Sequence, residues 1–380
     1  MMRRREFLET GTLAAIGAIV VGSTRILAAT EPVHDLIVRS FLPENLETPI
    51  AWFDRLVIPN DVFFVRSHFG APRLDAARTL RIEGMKPLDL SPSDLEAMPQ
   101  TTVVAVLQCA GNGRSLIEPR VPGVQWGHGA MGQASWTGVR LKDLLERAGL
   151  PGDARHVQLE GADVPPKPST PVFHRSIPID RAVDPTTLVA LKMNGERLSH
   201  AHGAPFRLVV PGWAGDHWMK WLRLIRPQAA EAAGFYMQTG YKLPKSPVEP
   251  GTAVKPEDMT TLTTFPVKSL IARPADGGTT HGGTQEIAGV AFSGFAPVAK
   301  VEVSTDGGTT WQSATLEGDP GTGRWQVFRY RFKAAPGRAQ AMVRATDGKG
   351  NTQSDAPLWN PSGYMWSRIE RQEVMIGPAD

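Results

Sequence analysis

A chain of 380 residues is long enough for two or three domains and too long for one minimal module. Its 41% hydrophobic and 21% charged content excludes a disordered, collagen-like or polytopic membrane chain, and a net charge of +3 is too small to argue for nucleic acid. The single cysteine, Cys109, excludes an intrachain disulfide, a Cys-rich zinc site, a four-cysteine iron–sulfur cluster and a Cys-x-x-Cys-His haem attachment, so redox chemistry here needs a borrowed cofactor.

Residues 1–29 read as a leader. Arg4-Arg5-Glu6-Phe7-Leu8 precedes an Ala/Gly/Ile/Val run from Leu13 to Gly22 and then the small residues Ala28 and Ala29. The run is about half the length a membrane-spanning helix requires, so no stable membrane insertion is expected. The pattern is that of a twin-arginine export signal; an ordinary secretory signal or an uncleaved anchor is the competing reading. Twin-arginine export carries folded chains, chiefly those loaded with a cofactor, so the leader predicts a bound cofactor and a periplasmic destination.

Residues 30–250 mix both periodicities. Val103 to Leu107 predicts a short buried strand, and Phe206 to Val210 another, stopped by Pro211-Gly212. Between them, Leu141, Leu144, Leu145 and Ala148 share one helical face that Gly149 and Pro151 terminate. Strands and helices do not alternate regularly, so the class is α+β rather than a doubly wound parallel sheet. Lys242 to Thr264 is rich in Pro, Lys and Thr and reads as the linker region, assigned to 251–265. From 266 to 380 the pattern changes to short strands at Glu286–Phe292, Val298–Ser304, Trp325–Phe332 and Gln340–Thr346. Asp276-Gly277-Gly278, Asp306-Gly307-Gly308 and Asp347-Gly348 separate them and predict positive-φ turns. That is an immunoglobulin-like β-sandwich.

Leu107-Gln108-Cys109-Ala110-Gly111-Asn112-Gly113-Arg114 places the lone thiol where a strand gives way to a small-residue loop that a bulky group can approach. A lone cysteine is most often an inert small hydrophobe. Arg114, if close, favours the thiolate that ligates soft metals or attacks electrophiles.

This segment resembles the metal-ligating loop of the sulfite oxidase family of molybdenum enzymes, and the resemblance runs along nearly all of the mature chain. Pro59 to His68 is similar to the family's substrate-side segment. Trp136-Thr137-Gly138-Val139 leading into Leu141 to Leu145 resembles the helix after the cysteine loop. Met193-Asn194-Gly195, His202-Gly203, Arg207, Pro211-Gly212 and Lys220-Trp221-Leu222 are similar to the pterin-binding half, and the sandwich with Trp359-Asn360 to the dimerisation domain. The resemblance implies a sulfite-oxidase-type molybdopterin domain followed by the sandwich, with a homodimer surface on the latter; the residues leave open whether it pairs two chains or caps one.

By that resemblance Cys109 is the protein ligand of a molybdenum–molybdopterin cofactor (Moco), and His202, Arg207 and Lys220 are cofactor contacts, read as cations meeting the pterin phosphate and ring edge. Arg66 and Arg114 are substrate arginines, whose planar guanidinium forks suit a small oxyanion. Tyr241 is an active-site hydroxyl, and His68 flanks the substrate entrance. There are departures. Many relatives have Trp-Asn-x-Arg-Gly where this chain has Trp359-Asn360-Pro361-Ser362-Gly363, with Arg368 beyond as a stand-in that the motif does not assign. Gly113-Arg114 also stands where many relatives have two arginines.

The implied activity is that of a periplasmic sulfite dehydrogenase: sulfite to sulfate at the molybdenum–pterin centre, with electrons passed to a separate c-type cytochrome because this chain carries no haem motif. Three alternatives stay open: a family member acting on another oxyanion or a sulfoxide, a thiol hydrolase using Cys109 with a histidine, and an exported binding module without catalysis.

Overall fold

The computed structural model describes residues 36–75, 78–280, 282–356 and 359–378. Residues 1–29, expected from the sequence to be the leader, lie outside the described residues. Among those described, no helix is long and apolar enough to cross a membrane.

The catalytic half is built on two five-stranded sheets. In the first, Thr101–Gln108 pairs antiparallel with Met131–Arg140, which pairs with Leu188–Met193; that strand also pairs with Arg207–Val209 and Glu196–Arg197. In the second, the order is Leu88–Leu90, Leu80–Ile82, Leu222–Gln228, His156–Gly161, His174–Pro178, with Leu80–Ile82 and Leu222–Gln228 parallel. Helical segments are short and interspersed, as the irregular alternation predicts. The helix Leu141–Ala148 buries Leu141, Leu144, Leu145 and Ala148, the four positions of its apolar stripe, and ends at Gly149 with φ +73°. That angle is accessible to glycine without a Cβ penalty.

The C-terminal half is an all-β sandwich. One sheet runs Lys268–Arg273, Gly283–Phe292, Trp325–Ala334, Thr315–Glu317; the other runs Thr279–Thr280, Glu370–Ile376, Gly337–Asp347, Val298–Ser304, Gln312–Ser313. Alternate residues of the first sheet enter different cores. Ile271, Ala291 and Phe328 join Val301, Val303 and Val343 inside the sandwich, whereas Leu270, Ala272, Val290, Phe292, Trp325 and Val327 join the core of the catalytic half. A strand with both faces buried has to be apolar at consecutive positions, which is why Ile287-Ala-Gly-Val-Ala-Phe292 reads as an unbroken run. The two halves thus share one hydrophobic core.

Two expectations change. The linker region is not featureless: Lys242–Pro244 pairs with Met259–Thr261 in a small antiparallel ladder, and Leu262 and Phe265 are fully buried. Asp347-Gly348 is not the positive-φ pair; the left-handed residue of that turn is Gly350, at +83°, because the Asp347 carboxylate accepts the Lys349 and Asn351 amides and organises the turn around itself.

Candidate active site

Cys109 stands one residue past the end of Thr101–Gln108. Its amide donates to Ala130 O at 2.9 Å, continuing the ladder for one more bond, and its carbonyl accepts from Asn112 N at 3.0 Å, closing the turn. The small residues that follow are required by close approach: a Cβ at Gly111 would lie 2.7 Å from the Arg114 guanidinium, and one at Gly113, where φ is +85°, 2.8 Å from Trp366 Cβ. The thiol is partly exposed at the edge of a cleft that also meets Arg66, His68, His202, Arg207, Lys220 and Tyr241.

Seven of the eight candidate residues therefore meet in one cleft. The eighth, Arg114, lines the adjoining cavity, together with Cys109, Arg66, His68 and Tyr241. It is buried, with Nε donating to Ser362 O at 3.0 Å and Nη1 to Val124 O at 2.9 Å. Arg368 is not part of the site. It pairs with Asp355 at 3.3 Å and lines a different groove, beside Trp359 and Trp366.

The far wall of the cleft is cationic. Arg207 is buried, donating to His202 O at 3.0 Å and Trp218 O at 3.2 Å, while its Nε has no partner in the chain. Lys220 Nζ donates to Ser67 Oγ at 3.1 Å and Ala201 O at 2.8 Å. Burial, reinforced by Arg207, pushes the Lys220 ammonium down to about 7, and burial pushes Arg207 down to about 9. A cation whose direct hydrogen-bond partners are all neutral oxygens is disfavoured in a buried site, so this wall is arranged for negative charge. His202 differs from the sequence expectation. It lines the cleft, but burial first, then Arg207 and Lys220, lower its pKa to about 3. One ring nitrogen lies 3.0 Å from Ser199 Oγ and the other 3.3 Å from Phe63 O. It is a neutral wall group rather than a third cation.

At the mouth, His68 Nδ1 faces Arg66 Nη2 at 3.3 Å and the Tyr241 hydroxyl at 3.4 Å, and His68 Nε2 faces the Tyr236 hydroxyl at 2.9 Å. Burial and the Arg66 charge bring its pKa to about 3. The neutral ring then accepts at Nδ1 and donates from Nε2. Arg66 is anchored by Asn45 Oδ1 at 3.2 Å and by Ser67 O. Burial raises the Tyr241 hydroxyl above the ordinary tyrosine range, so it stays a proton donor.

Sequence reading missed four residues. Asp163 and Asp216 line the cleft; burial raises both, Asp216 to about 7. Arg175, fully buried, pairs with Asp216 at 2.8 Å and lies over the Tyr241 ring. Tyr364, from the C-terminal half, lines the cavity beside Arg114. The only sequence signal for these was the rarity of two adjacent titratable residues, Asp216-His217, inside a Gly- and Trp-rich turn.

Comparison with known proteins identifies the family. Residues 68–236 match the model of the oxidoreductase molybdopterin binding domain, and residues 259–374 that of the Mo-co oxidoreductase dimerisation domain. Human mitochondrial sulfite oxidase is 35% identical over 373 residues, spanning 92% of this chain and 68% of that protein. Sulfite oxidase of Arabidopsis thaliana is 31% identical, spanning 86% and 91%. The chain belongs to the sulfite oxidase family. Among solved structures, the sulfane dehydrogenase SoxCD from Paracoccus pantotrophus superposes with a TM-score of 0.76 at 28% identity, covering 88% of this chain and 85% of that one. Like its relatives, this member of the sulfite oxidase family is a molybdenum-dependent oxidoreductase with molybdopterin as its cofactor.

The residues present fit that group. A partly exposed thiol is a soft donor suited to molybdenum, and the unsatisfied Arg207 Nε with the depressed Lys220 ammonium is a receptor for an anionic pterin phosphate. Cys109 would hold the metal; Arg207 and Lys220 would hold the pterin tail, with His202 as the neutral surface between them.

Proposed function

We propose that this protein is an exported sulfite dehydrogenase that oxidises sulfite with water to sulfate, two protons and two electrons, delivered singly to a separate c-type cytochrome. The observation that carries the reading is the joint presence of the Cys109 thiol, the Arg66 and Arg114 guanidinium groups and the Tyr241 hydroxyl on one cavity. When bound, the molybdenum centre supplies the oxygen transfer and the two-electron store. The chain supplies charge neutralisation and orientation. Arg66 and Arg114 offset the substrate charge in a partly desolvated cavity where such pairing is strong, and Tyr241 donates a hydrogen bond while His68 accepts one. No general base is required of the protein.

The thiol-hydrolase reading lacks its base. Nδ1 of His68, the histidine on both cavities, is shared by Arg66 and Tyr241, and Nε2 faces Tyr236; among the described residues no hydrogen bond joins the Cys109 thiol to a histidine. Export rests on the Arg4-Arg5-Glu6-Phe7-Leu8 leader, and the external acceptor on the single cysteine, which leaves no Cys-x-x-Cys-His in this chain. The deciding experiment is sulfite-dependent reduction of an artificial one-electron acceptor by protein of measured molybdenum content. Turnover proportional to molybdenum is expected; fully loaded protein inert toward sulfite overturns the reading.

A further inference from the structure

Tyr364 belongs to the C-terminal half, yet its ring lies in the active-site cavity. It is stacked on Tyr241 with centroids 5.4 Å apart and planes 5° apart. The Arg114 guanidinium lies over the Tyr364 ring at 5.2 Å, and the Arg175 guanidinium over the Tyr241 ring at 5.3 Å. The four groups form a continuous run of cation, ring, ring, cation. Two of its members, Arg114 and Tyr241, are the groups assigned to the substrate, and Tyr241 has φ +52°, a backbone angle unfavourable to a bulky residue.

The turn that delivers Tyr364 is tightly fastened. Asn360, itself buried, accepts the Tyr364 amide at 3.0 Å and donates to the Tyr364 carbonyl at 2.9 Å. Ser362 O receives Arg114 Nε, and the Met365 amide donates to Ala110 O at 2.9 Å, one residue from Cys109. Gly363 lets the turn approach so closely that a Cβ there would meet Val121 Cγ2 at 2.5 Å. The ring is thus fixed relative to the cysteine loop by bonds on both sides of it.

We propose that Tyr364 is a positioning residue of the substrate site, holding the Tyr241 phenol and the Arg114 guanidinium as one stacked unit through which the C-terminal domain sets the oxyanion pocket. This rests on the sulfite reading for its substrate, but the stack itself is measurable without turnover. Stacking needs a ring and not the hydroxyl, and it orients groups that hold the anion before chemistry, so its loss raises KM more than it lowers kcat.

The test uses molybdenum-loaded full-length protein and the variants Tyr364→Phe, Tyr364→Leu and, should the latter fail to accumulate, Tyr364→Gln. Loss of the ring is expected to lower kcat/KM for sulfite roughly tenfold, the size of an aromatic pair combined with a cation–π contact. Most of the effect should be in KM, with a parallel loss in sulfate affinity by calorimetry. Phe should stay within about twofold of wild type. Because the chain has only four tyrosines, ring-13C tyrosine NMR reads Tyr241 directly: its ring-current shift should survive in Phe and collapse in Leu or Gln. Wild-type KM and sulfate affinity in the ringless variants overturn the proposal whatever the NMR shows, and so does an equal loss in Phe, which would make the hydroxyl the acting group. Wild-type protein inert toward sulfite would instead sink the substrate reading, while an unchanged Tyr241 signal in the ringless variants would still sink the stack.

Discussion

The two halves of the molecule use charge in opposite ways. In the sandwich, acids and bases face each other across strands near the surface: Glu286 meets Arg273, Arg329 and Arg331, Glu302 meets Arg344 and Lys300, and Asp355 meets Arg368 and Arg371. In the catalytic half, Arg207 is buried and Lys220 half-buried, and both are offered carbonyl or hydroxyl oxygens rather than carboxylates. The first arrangement is electrostatically satisfied and costs little in either state. The second leaves an unbalanced positive wall in a low-dielectric cleft, which is unfavourable for the chain alone and favourable once an anionic group arrives. Pairing alone does not separate sites from surfaces, since Lys268 of the sandwich is buried without a hydrogen-bond partner and Arg175–Asp216 in the cleft is paired; what marks the wall is an unpaired cation that also lines a cavity.

The largest expected effect tests the one ligand that no other residue can replace. Cys109→Ser preserves size and the backbone bonds of the turn but exchanges a soft thiolate for a hard hydroxyl. Sulfite-dependent reduction of an artificial acceptor should fall to background at unchanged unfolding temperature. A serine variant with activity near wild type would remove Cys109 from the metal.

Next comes the cationic wall. Lys220→Met keeps the stem packed on Trp221, over whose ring Nζ lies at 4.1 Å, and removes the charge. Molybdenum retention after dialysis should drop about tenfold or more, the scale of losing a buried charge-assisted contact, whereas the unfolding temperature of the cofactor-free chain should not fall. A satisfied structural lysine would give the reverse, with stability lost and molybdenum kept.

The same residue gives a pH signature. Its pKa is about 7 in the fold against 10.5 ordinarily, chiefly by burial; Arg207 and Arg66 add to the depression, and Asp163 and Glu44 oppose it. Between those values the unfolded chain binds more protons than the folded one, so the stability of the cofactor-free protein rises with pH from about 7 to about 10. Lys268, lowered to about 7 by burial, contributes in the same direction. Lys220→Met should therefore leave a shallower slope, and cofactor loading should shrink it too, since a phosphate beside the ammonium restores its proton. Thermal unfolding across that range, with and without cofactor, measures all three. Identical slopes would mean that Lys220 keeps its proton in the fold as it does in the unfolded chain.

How much of this was legible in the sequence follows from the range of the interactions. The strand up to Gln108, the helix from Leu141 and the sandwich strands obey local periodicity, and each lies within a few residues of its expected place. The thiol, Arg66, Tyr241 and the cationic wall were found because a family resemblance carries their positions. What could not be read is what depends on burial and on distant neighbours. The neutrality of His202 comes from burial and then from the Arg207 and Lys220 charges beside it. The pairing of Arg175 with Asp216 joins two separate segments, and Tyr364 enters from the other domain. The ladder of Lys242–Pro244 with Met259–Thr261 was hidden for a related reason: its residues are half-exposed and carry no alternation strong enough to mark a strand.

The smallest effect is expected where charges are most numerous. Glu286 binds three arginines, and their pull lowers its pKa despite partial burial; counted by contacts it outranks any carboxylate of the active site. Yet Arg331 is largely exposed and Arg273 partly so, so water competes for each bond and long side chains must be ordered to make it. Glu286→Gln retains the hydrogen-bonding shape and removes the charge, and should cost no more than about 1 kcal/mol in denaturant unfolding, with sulfite kinetics unchanged. Raising the salt concentration should narrow even that difference, because solvent-exposed pairs are screened. A loss of several kcal/mol, or a change in KM, would show that the sandwich network is coupled to the site as the buried wall is, and the contrast between the two halves would no longer hold.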